Sequence, residues 1–276
     1  MERRLATEIS FCEKCGKDVE AAQELWTSFW RLKGAILRCP HCNQIVRKTD
    51  YKDLDPVQQN AIFKKFLAKG SDITAPTYES LRAPLFSIIM LGINPFAWKR
   101  RIIQVPSQRI NVRTGETVLD VATGTGLVAR ELSEMVGLQG HVCGLDISMG
   151  MLKMARKKAN QTGLTNITYI KGDSEELPFQ DRVLDGVTCF NTIVTEQVIA
   201  EISRVLRKGS KLVTTVGGKT RKMNPLLKII LKLGRKYGFP VFYESEITEL
   251  LEKYDFKDVH CLEWIGPILP VEAEKR

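Results

Sequence analysis

The chain is 276 residues long, 43% hydrophobic and 26% charged, with a formal net charge of +9. That is apolar material for one large core plus a small satellite, and the charge suits an anionic partner, nucleic acid or an anionic membrane surface. The opening "MERRLATEIS" has no secretory pattern, and the longest apolar stretch, "LFSIIMLGI" (85–93), is about half of the ~20 residues that a membrane span needs. A cytoplasmic protein is expected.

The first 50 residues carry "FCEKCG" and "RCPHCN", two C-x2-C pairs separated by 23 residues. This spacing matches a zinc ribbon, with Cys12, Cys15, Cys39 and Cys42 as tetrahedral thiolate ligands. Gly16 and Asn43 follow the second cysteine of each pair, and both residue types tolerate the positive φ of a knuckle turn. Sulfur in all four positions makes the site closed and structural, its metal helping to fold a segment with little core. Trp26, Phe29 and Trp30 are expected to pack over the ribbon, and His41 to face solvent. Cys143, Cys189 and Cys261 fall in or near strands and read as buried hydrophobes.

"DPVQQNAIFKKFLAKG" follows as a helix, capped by Asp55, opened by Pro56 and ended by Gly70. Residues 71–115, with prolines at 76, 84, 95 and 106, read as short helices joined by bends. From 116 onward strand and helix alternate. "TVLDVA" is the first strand, "GLVARELSEMVG" a helix that Gly137 ends, and "HVCGLD" the second strand. Ser148 caps a helix running to about Gly163. "ITYIKGD" and "LDGVTCF" are the third and fourth strands, Thr195 caps a helix that Gly209 stops, and "SKLVTTV" is the fifth. This alternation predicts an α/β fold, Rossmann-like, with a parallel sheet covered by helices on both faces. The expected organisation is a zinc ribbon over 1–50, a helical linker and substrate-side helices over 51–115, and the α/β core over 116–276.

The turn "ATGTGLVAR" (122–130) lies between the first strand and its helix. A P-loop needs Lys and Ser or Thr after the last glycine, where Leu127 and Val128 stand. Gly124, Gly126 and Ala129 fit the dinucleotide pattern, and Asp146 lies where a ribose carboxylate belongs. Taken alone, the motif fits a dinucleotide. Asp120, four residues before Gly124, tips the balance, because a carboxylate there repels a pyrophosphate and favours a cationic ligand. The methionyl part of S-adenosylmethionine, with its ammonium and sulfonium, is such a ligand. Asp146 then serves the ribose hydroxyls and Asp173 the adenine amino group, so three strand ends line the crevice where open α/β sheets bind ligands.

"VLDVATGTGLVA", "GLDISMGMLKMARKKA", "GLTNITYIKGDSEELPF" and "ISRVLRKGSKLV" resemble the class I S-adenosylmethionine-dependent methyltransferases, and within them the ubiquinone/menaquinone-biosynthesis C-methyltransferases. "APTYESLRAPLFSIIMLGINPFAWKRRII" is similar to that family's substrate-side helices, so the resemblance covers about 70–265. It implies cofactor contacts at Asp120, Ala122, Gly124, Thr125, Gly126, Asp146, Ile147, Asp173, Ser174 and Phe190, with Phe190 and Asn191 lining the reaction centre. Tyr78 and Asn191 are the candidate catalytic, acceptor-facing groups. The chain departs from the family at Glu79 (an aspartate there), at Leu127 (an aspartate), and in "CFNTIV", which lacks the family's arginine.

The resemblance implies methyl transfer from S-adenosylmethionine to a hydrophobic small molecule, a quinone, isoprenoid or lipid-like acceptor. The alternative is a zinc-ribbon ribosomal RNA methyltransferase, and a third reading is a non-catalytic module with a retained cofactor pocket. The basic stretch "KTRKMNPLLKIILKLGRKYGF" (219–239) is expected to form an amphipathic helix over the site. Its sharper reading is a peripheral anchor on an anionic membrane; RNA would use the same lysines through phosphates.

Overall fold

The computed structural model describes residues 10–12, 15, 17–19, 24–28, 31–38, 41–42, 44–53, 56–91, 94–218 and 240–276. They fall into two compact units, Met1–Ser71 and Asp72–Arg276.

The first unit is antiparallel. Strands β1 (Ser10–Cys12) and β2 (Lys17–Val19) form a hairpin, and β3 (Glu24–Ser28), β4 (Arg31–Arg38) and β5 (Ile45–Asp50) form a three-stranded sheet. Cys12 ends β1, Cys15 lies in the hairpin turn, and His41 and Cys42 form a turn before β5. Cys39 and the side chains of Cys12, Trp26, Phe29 and Trp30 lie outside the described residues. Helix α1 (Pro56–Thr74) begins at the expected proline but runs one turn past Gly70. A helix-interior glycine costs only ~1 kcal/mol relative to alanine, and no atom comes within 4 Å of the position a Cβ would take there.

Short helices follow, as the prolines imply. They are a 3-10 turn (Ala75–Thr77), a π-helical turn (Tyr78–Arg82), α2 (Ala83–Leu91), α3 (Pro95–Trp98), a second π-helical stretch (Lys99–Gln104) and α4 (Val105–Arg109). Each proline occupies the first or second position of its element, where its missing N–H is not needed. No helix among the described residues is long and apolar enough to cross a membrane.

The core then alternates as read: β6 (Thr117–Val121), α5 (Leu127–Val136), β7 (His141–Asp146), α6 (Met149–Gln161), β8 (Ile167–Lys171), β9 (Leu184–Cys189), α7 (Glu196–Val205), β10 (Leu206–Gly217), α8 (Glu244–Lys253), β11 (Phe256–Cys261) and β12 (Ile268–Lys275). The sheet order is β8-β7-β6-β9-β10-β12-β11. The first five strands in that order are parallel, whereas β12 runs antiparallel to both β10 and β11. The parallel expectation therefore needs correcting at one edge. Pro270 and the charged Glu272, Glu274 and Lys275 hide β12 from a pattern reading, although Glu272 and Lys275 are buried. One sheet face packs Val118, Val142 and Val213 on α5 and on Ile102, Ile103 and Ile110. The other packs Leu119, Leu145 and Val187 on α7 and α8. Burial on both faces is why these strands read as continuous apolar runs.

Helix ends follow local chemistry. Ser148 Oγ accepts from the Met151 N–H at 3.1 Å, Thr195 Oγ1 accepts from the Val198 N–H at 3.3 Å, and Gly137 ends α5 at φ +66°. Helix α7, by contrast, stops at Val205, four residues before Gly209. The fully buried Leu206 turns extended and pairs with Leu184, and Gly209 (φ +82°) falls where the strand register shifts.

Candidate functional site

The strand order reverses at β6 and β9, the switch point beside which such sheets take ligands. After β6 the backbone enters the left-handed region at Ala122 (φ +55°), Gly124 (φ +55°) and Gly126 (φ +75°). The two glycines serve different ends. A Cβ on Gly126 would lie 2.6 Å from the Tyr169 hydroxyl, so this glycine is closed by packing. At Gly124 the nearest atom to a Cβ is the Ala122 carbonyl oxygen, 4.0 Å away. The space that a side chain would take at Gly124 is thus open.

Two carboxylates brace this turn. Asp146 accepts from the Gly124 N–H and the Ser148 N–H, both at 2.8 Å. Burial raises its pKa, opposed by those two N–H groups, and the charge of Asp72 raises it further. Asp120 is fully buried and accepts from Thr123 Oγ1 at 2.6 Å and Thr188 Oγ1 at 2.8 Å. Burial pushes its pKa up to about 7 despite both hydroxyls. Asp120 is therefore a buried charge reserve beneath the turn rather than a surface carboxylate.

Most of the other expected residues follow the ends of β6, β7, β8 and β9. Strand β8 ends at Lys171, so Asp173 is not at a strand end as expected; it lies two residues on, in a tight turn, where its Oδ1 accepts from the Glu175 N–H at 3.0 Å. Asp173, Ser174, Ile147 and Ala122 are half-buried. Phe190 is buried in the cluster that also holds Ile102, Ile103 and Ile265, and Tyr78 packs against that cluster. Asn191 is exposed at φ +53°, its N–H donating to Thr215 Oγ1 at 2.8 Å.

A network absent from the sequence reading ties the π-helical turn Tyr78–Arg82 to this turn. Glu79 accepts a short hydrogen bond from Thr125 Oγ1 and pairs with Arg130 of α5 at 3.2 Å and Lys158 of α6 at 2.7 Å. Arg130 also donates to the Thr125 carbonyl at 2.8 Å. Burial raises the Glu79 carboxyl, but the bonds from Lys158 and Thr125 and the charges of Arg130 and Lys158 outweigh it, leaving the pKa below 4.5. Asp72 does similar work at α6, accepting from Ser148 Oγ at 2.6 Å and the Gly150 N–H at 2.7 Å, a favourable place for negative charge at a helix N-terminus. Asp72 lies in the last turn of α1, beyond Gly70. The one available signal for Glu79 was its departure from the family's aspartate after Tyr78.

Residues 78–256 match the model of the ubiE/COQ5 methyltransferase family. The chain belongs to that family. It is an S-adenosylmethionine-dependent methyltransferase. Among its relatives, the "Ubiquinone/menaquinone biosynthesis C-methyltransferase UbiE" of an Enterobacter species is 32% identical over 63% of this chain and 68% of that one. The protein of the same name from Serratia proteamaculans is 36% identical over 56% of this chain and 60% of its own length. The chain thus spans about two thirds of these relatives or less. A solved S-adenosylmethionine-dependent methyltransferase from Aquifex aeolicus aligns with 64% of this chain and 92% of that one at a TM-score of 0.51 and 24% identity, which shows the shared fold.

In this methyltransferase no histidine joins the glycine turn. His41 is exposed, and His141 bonds Thr168 Oγ1 at 2.9 Å across β7 and β8. His260 is exposed on β11, at the sheet edge. Cys143 and Cys189 are buried, as their hydrophobic reading implies, and Cys261 is half-buried. Among the described residues no three His, Cys, Asp or Glu side chains converge as metal ligands; of the four cysteines expected to hold zinc, Cys39 and the side chain of Cys12 lie outside that description. The basic stretch 219–239 also lies outside the described residues.

Proposed function

We propose that this methyltransferase alkylates a hydrophobic small molecule, a quinone precursor or related isoprenoid, rather than RNA. The observation that carries this reading is the extent of the family match, which begins at Tyr78 within the substrate-side helices and not at the glycine turn. The relatives' names point to quinone biosynthesis. The open approach at Gly124 fits the cofactor. Asp146 takes the ribose, Asp173 and Ser174 the adenine, and Asp120 compensates the cationic methionyl end through the turn. When bound, the cofactor supplies an electrophilic methyl group. The chain's own residues orient and desolvate the acceptor, with Tyr78, Phe190 and Asn191 on its side. Holding reacting atoms near ~3–3.5 Å supplies much of the acceleration in such a displacement.

The test uses labelled S-adenosylmethionine with lipid and RNA extracts from a strain deleted for this gene. Label is expected in one lipid-soluble product. Label confined to RNA would overturn the assignment.

The first unit reads as a structural zinc ribbon held by Cys12, Cys15, Cys39 and Cys42. Support comes from the hairpins: Cys15 and Cys42 both occupy turns, and Cys12 closes β1. One zinc per chain is expected, and Cys39→Ser should release it and expose residues 1–50 to protease while cofactor binding persists. Full zinc retention by Cys39→Ser would refute the four-cysteine site. The basic stretch 219–239 reads as a peripheral anchor on an anionic membrane, and Lys228→Glu/Lys232→Glu should abolish cosedimentation with anionic vesicles.

A further inference from the structure

Away from the glycine turn, the helices of residues 94–106 and the chain joining β11 to β12 enclose a groove of about 600 Å³. Its walls include Phe96, Ala97, Val105, Leu262 and Ile265. Its size lies within the range of small-molecule sites, about 300–1,000 Å³. Two features mark it as unfinished. Phe96 is 89% exposed and Val105 42% exposed, both lining the same depression. Arg100 also lines it and is exposed, and its side chain makes no ion pair or hydrogen bond among the described residues.

The neighbouring cations are already used. Arg101 pairs with Glu263 from the opposite wall at 3.2 Å, and Lys99 pairs with Glu131 at 3.5 Å. Glu263 repels an anion from the Arg101 side, so an anion entering the groove finds its counter-charge at Arg100. The remaining lining is largely apolar. An apolar chain over Phe96, Val105 and Ile265 removes their surface from water at roughly 25 cal/mol per Å². A guanidinium beside that surface pairs well with carboxylate or phosphate.

We propose that this groove binds an anionic amphiphile, a carboxylate or phosphate on an alkyl or isoprenoid chain, with the anion on Arg100. Ile265 belongs to the same buried cluster as Phe190, so the groove floor is continuous with the packing behind the proposed reaction centre. The site stands whether the amphiphile is the methyl acceptor or an unmethylated lipid drawn from a bilayer.

The experiment uses the full chain, with octyl phosphate as the anionic probe and octanol as its neutral counterpart, read by calorimetry. Wild type should bind one octyl phosphate at least tenfold more tightly than octanol. Arg100→Glu should remove that preference while leaving octanol affinity and the unfolding midpoint unchanged. Ala97→Trp, which fills the groove, should abolish both. Competition by phosphatidylglycerol vesicles, but not by phosphatidylcholine vesicles, identifies a bilayer lipid as the source; no competition by either identifies a soluble amphiphile. Equal affinity for octanol and octyl phosphate, or octyl phosphate binding that survives both substitutions, overturns the proposal. S-adenosylhomocysteine binding, measured alongside, reports separately on the cofactor site.

Discussion

The glycine turn and the 94–106 groove use their polar groups in opposite ways. At the turn all four carboxylate oxygens of Asp120 and Asp146 accept hydrogen bonds from the protein itself. In the groove the Arg100 side chain has no partner among the described residues, and Phe96 stands in water. The turn is thus organised before any ligand arrives, and its geometry costs little to maintain on binding. The groove is completed only by what enters it. The difference teaches where substitutions should act: at the turn on stability and affinity together, at the groove on affinity alone.

The hardest blow to the organised side is Gly126→Ala. An L residue in the left-handed region costs about 1–2 kcal/mol. Its methyl would meet the Tyr169 hydroxyl at 2.6 Å, adding about 1–3 kcal/mol of overpacking. Urea unfolding should show a lower midpoint with unchanged slope, and calorimetry should show weakened S-adenosylhomocysteine binding. Retention of both would mean that the turn is not rigid.

Asp146→Ala comes next. It removes the acceptor shared by Gly124 and Ser148 and the group assigned to the ribose, so cofactor affinity should fall by about 1–3 kcal/mol. Unchanged affinity for S-adenosylhomocysteine would detach Asp146 from the cofactor.

The carboxylates also divide by pH. Asp120 has a folded pKa raised from 3.8 to about 7, so its favourable contribution is complete below 3.8 and lost as pH rises through about 7. Glu79 is lowered below 4.5, so its contribution is complete above 4.5 and lost as pH falls through the folded value. Asp120→Asn should therefore gain stability relative to wild type as pH rises from 5 to 8, and Glu79→Gln should lose least at the acid end. If an ionised Asp120 is what favours the cationic cofactor, S-adenosylmethionine affinity should rise about tenfold between pH 6 and 8, close to the 1.4 kcal/mol of one pKa unit. That rise should be absent in Asp120→Asn.

The parts legible in sequence were those written in local chemistry. Ser148, Thr195 and Gly137 cap their helices as read, and β6, β7 and β9 show as largely apolar runs because both faces are covered. Strand β12 was hidden because its buried charges, Glu272 and Lys275, follow no apolar pattern. Gly70 misled because a glycine signals a helix end only when tertiary contacts do not carry the helix onward. Tyr78, Asp120, Asp146 and Phe190 were named from motif and resemblance. Glu79, Arg130 and Lys158 were not joined, because pairs between α5, α6 and a distant π-helical turn depend on the finished fold and leave no spacing to detect.

The smallest expected effect separates strain from recognition within the turn itself. Ala122 sits at φ +55° with a methyl group, a conformation costing about 1–2 kcal/mol for an L residue. Glycine relieves that cost but adds back about 0.5–1 kcal/mol of unfolded-state entropy. Ala122→Gly should therefore leave the protein between unchanged and about 1.5 kcal/mol more stable, the range left when the second cost is taken from the first. Ala122 is also one of the residues that the family resemblance places against the cofactor. If its methyl touches bound cofactor, S-adenosylhomocysteine affinity should fall while stability rises, and the two readouts move in opposite directions. If both rise together, the alanine contributes only strain, and the recognition attributed to this position belongs to its neighbours Gly124 and Thr125.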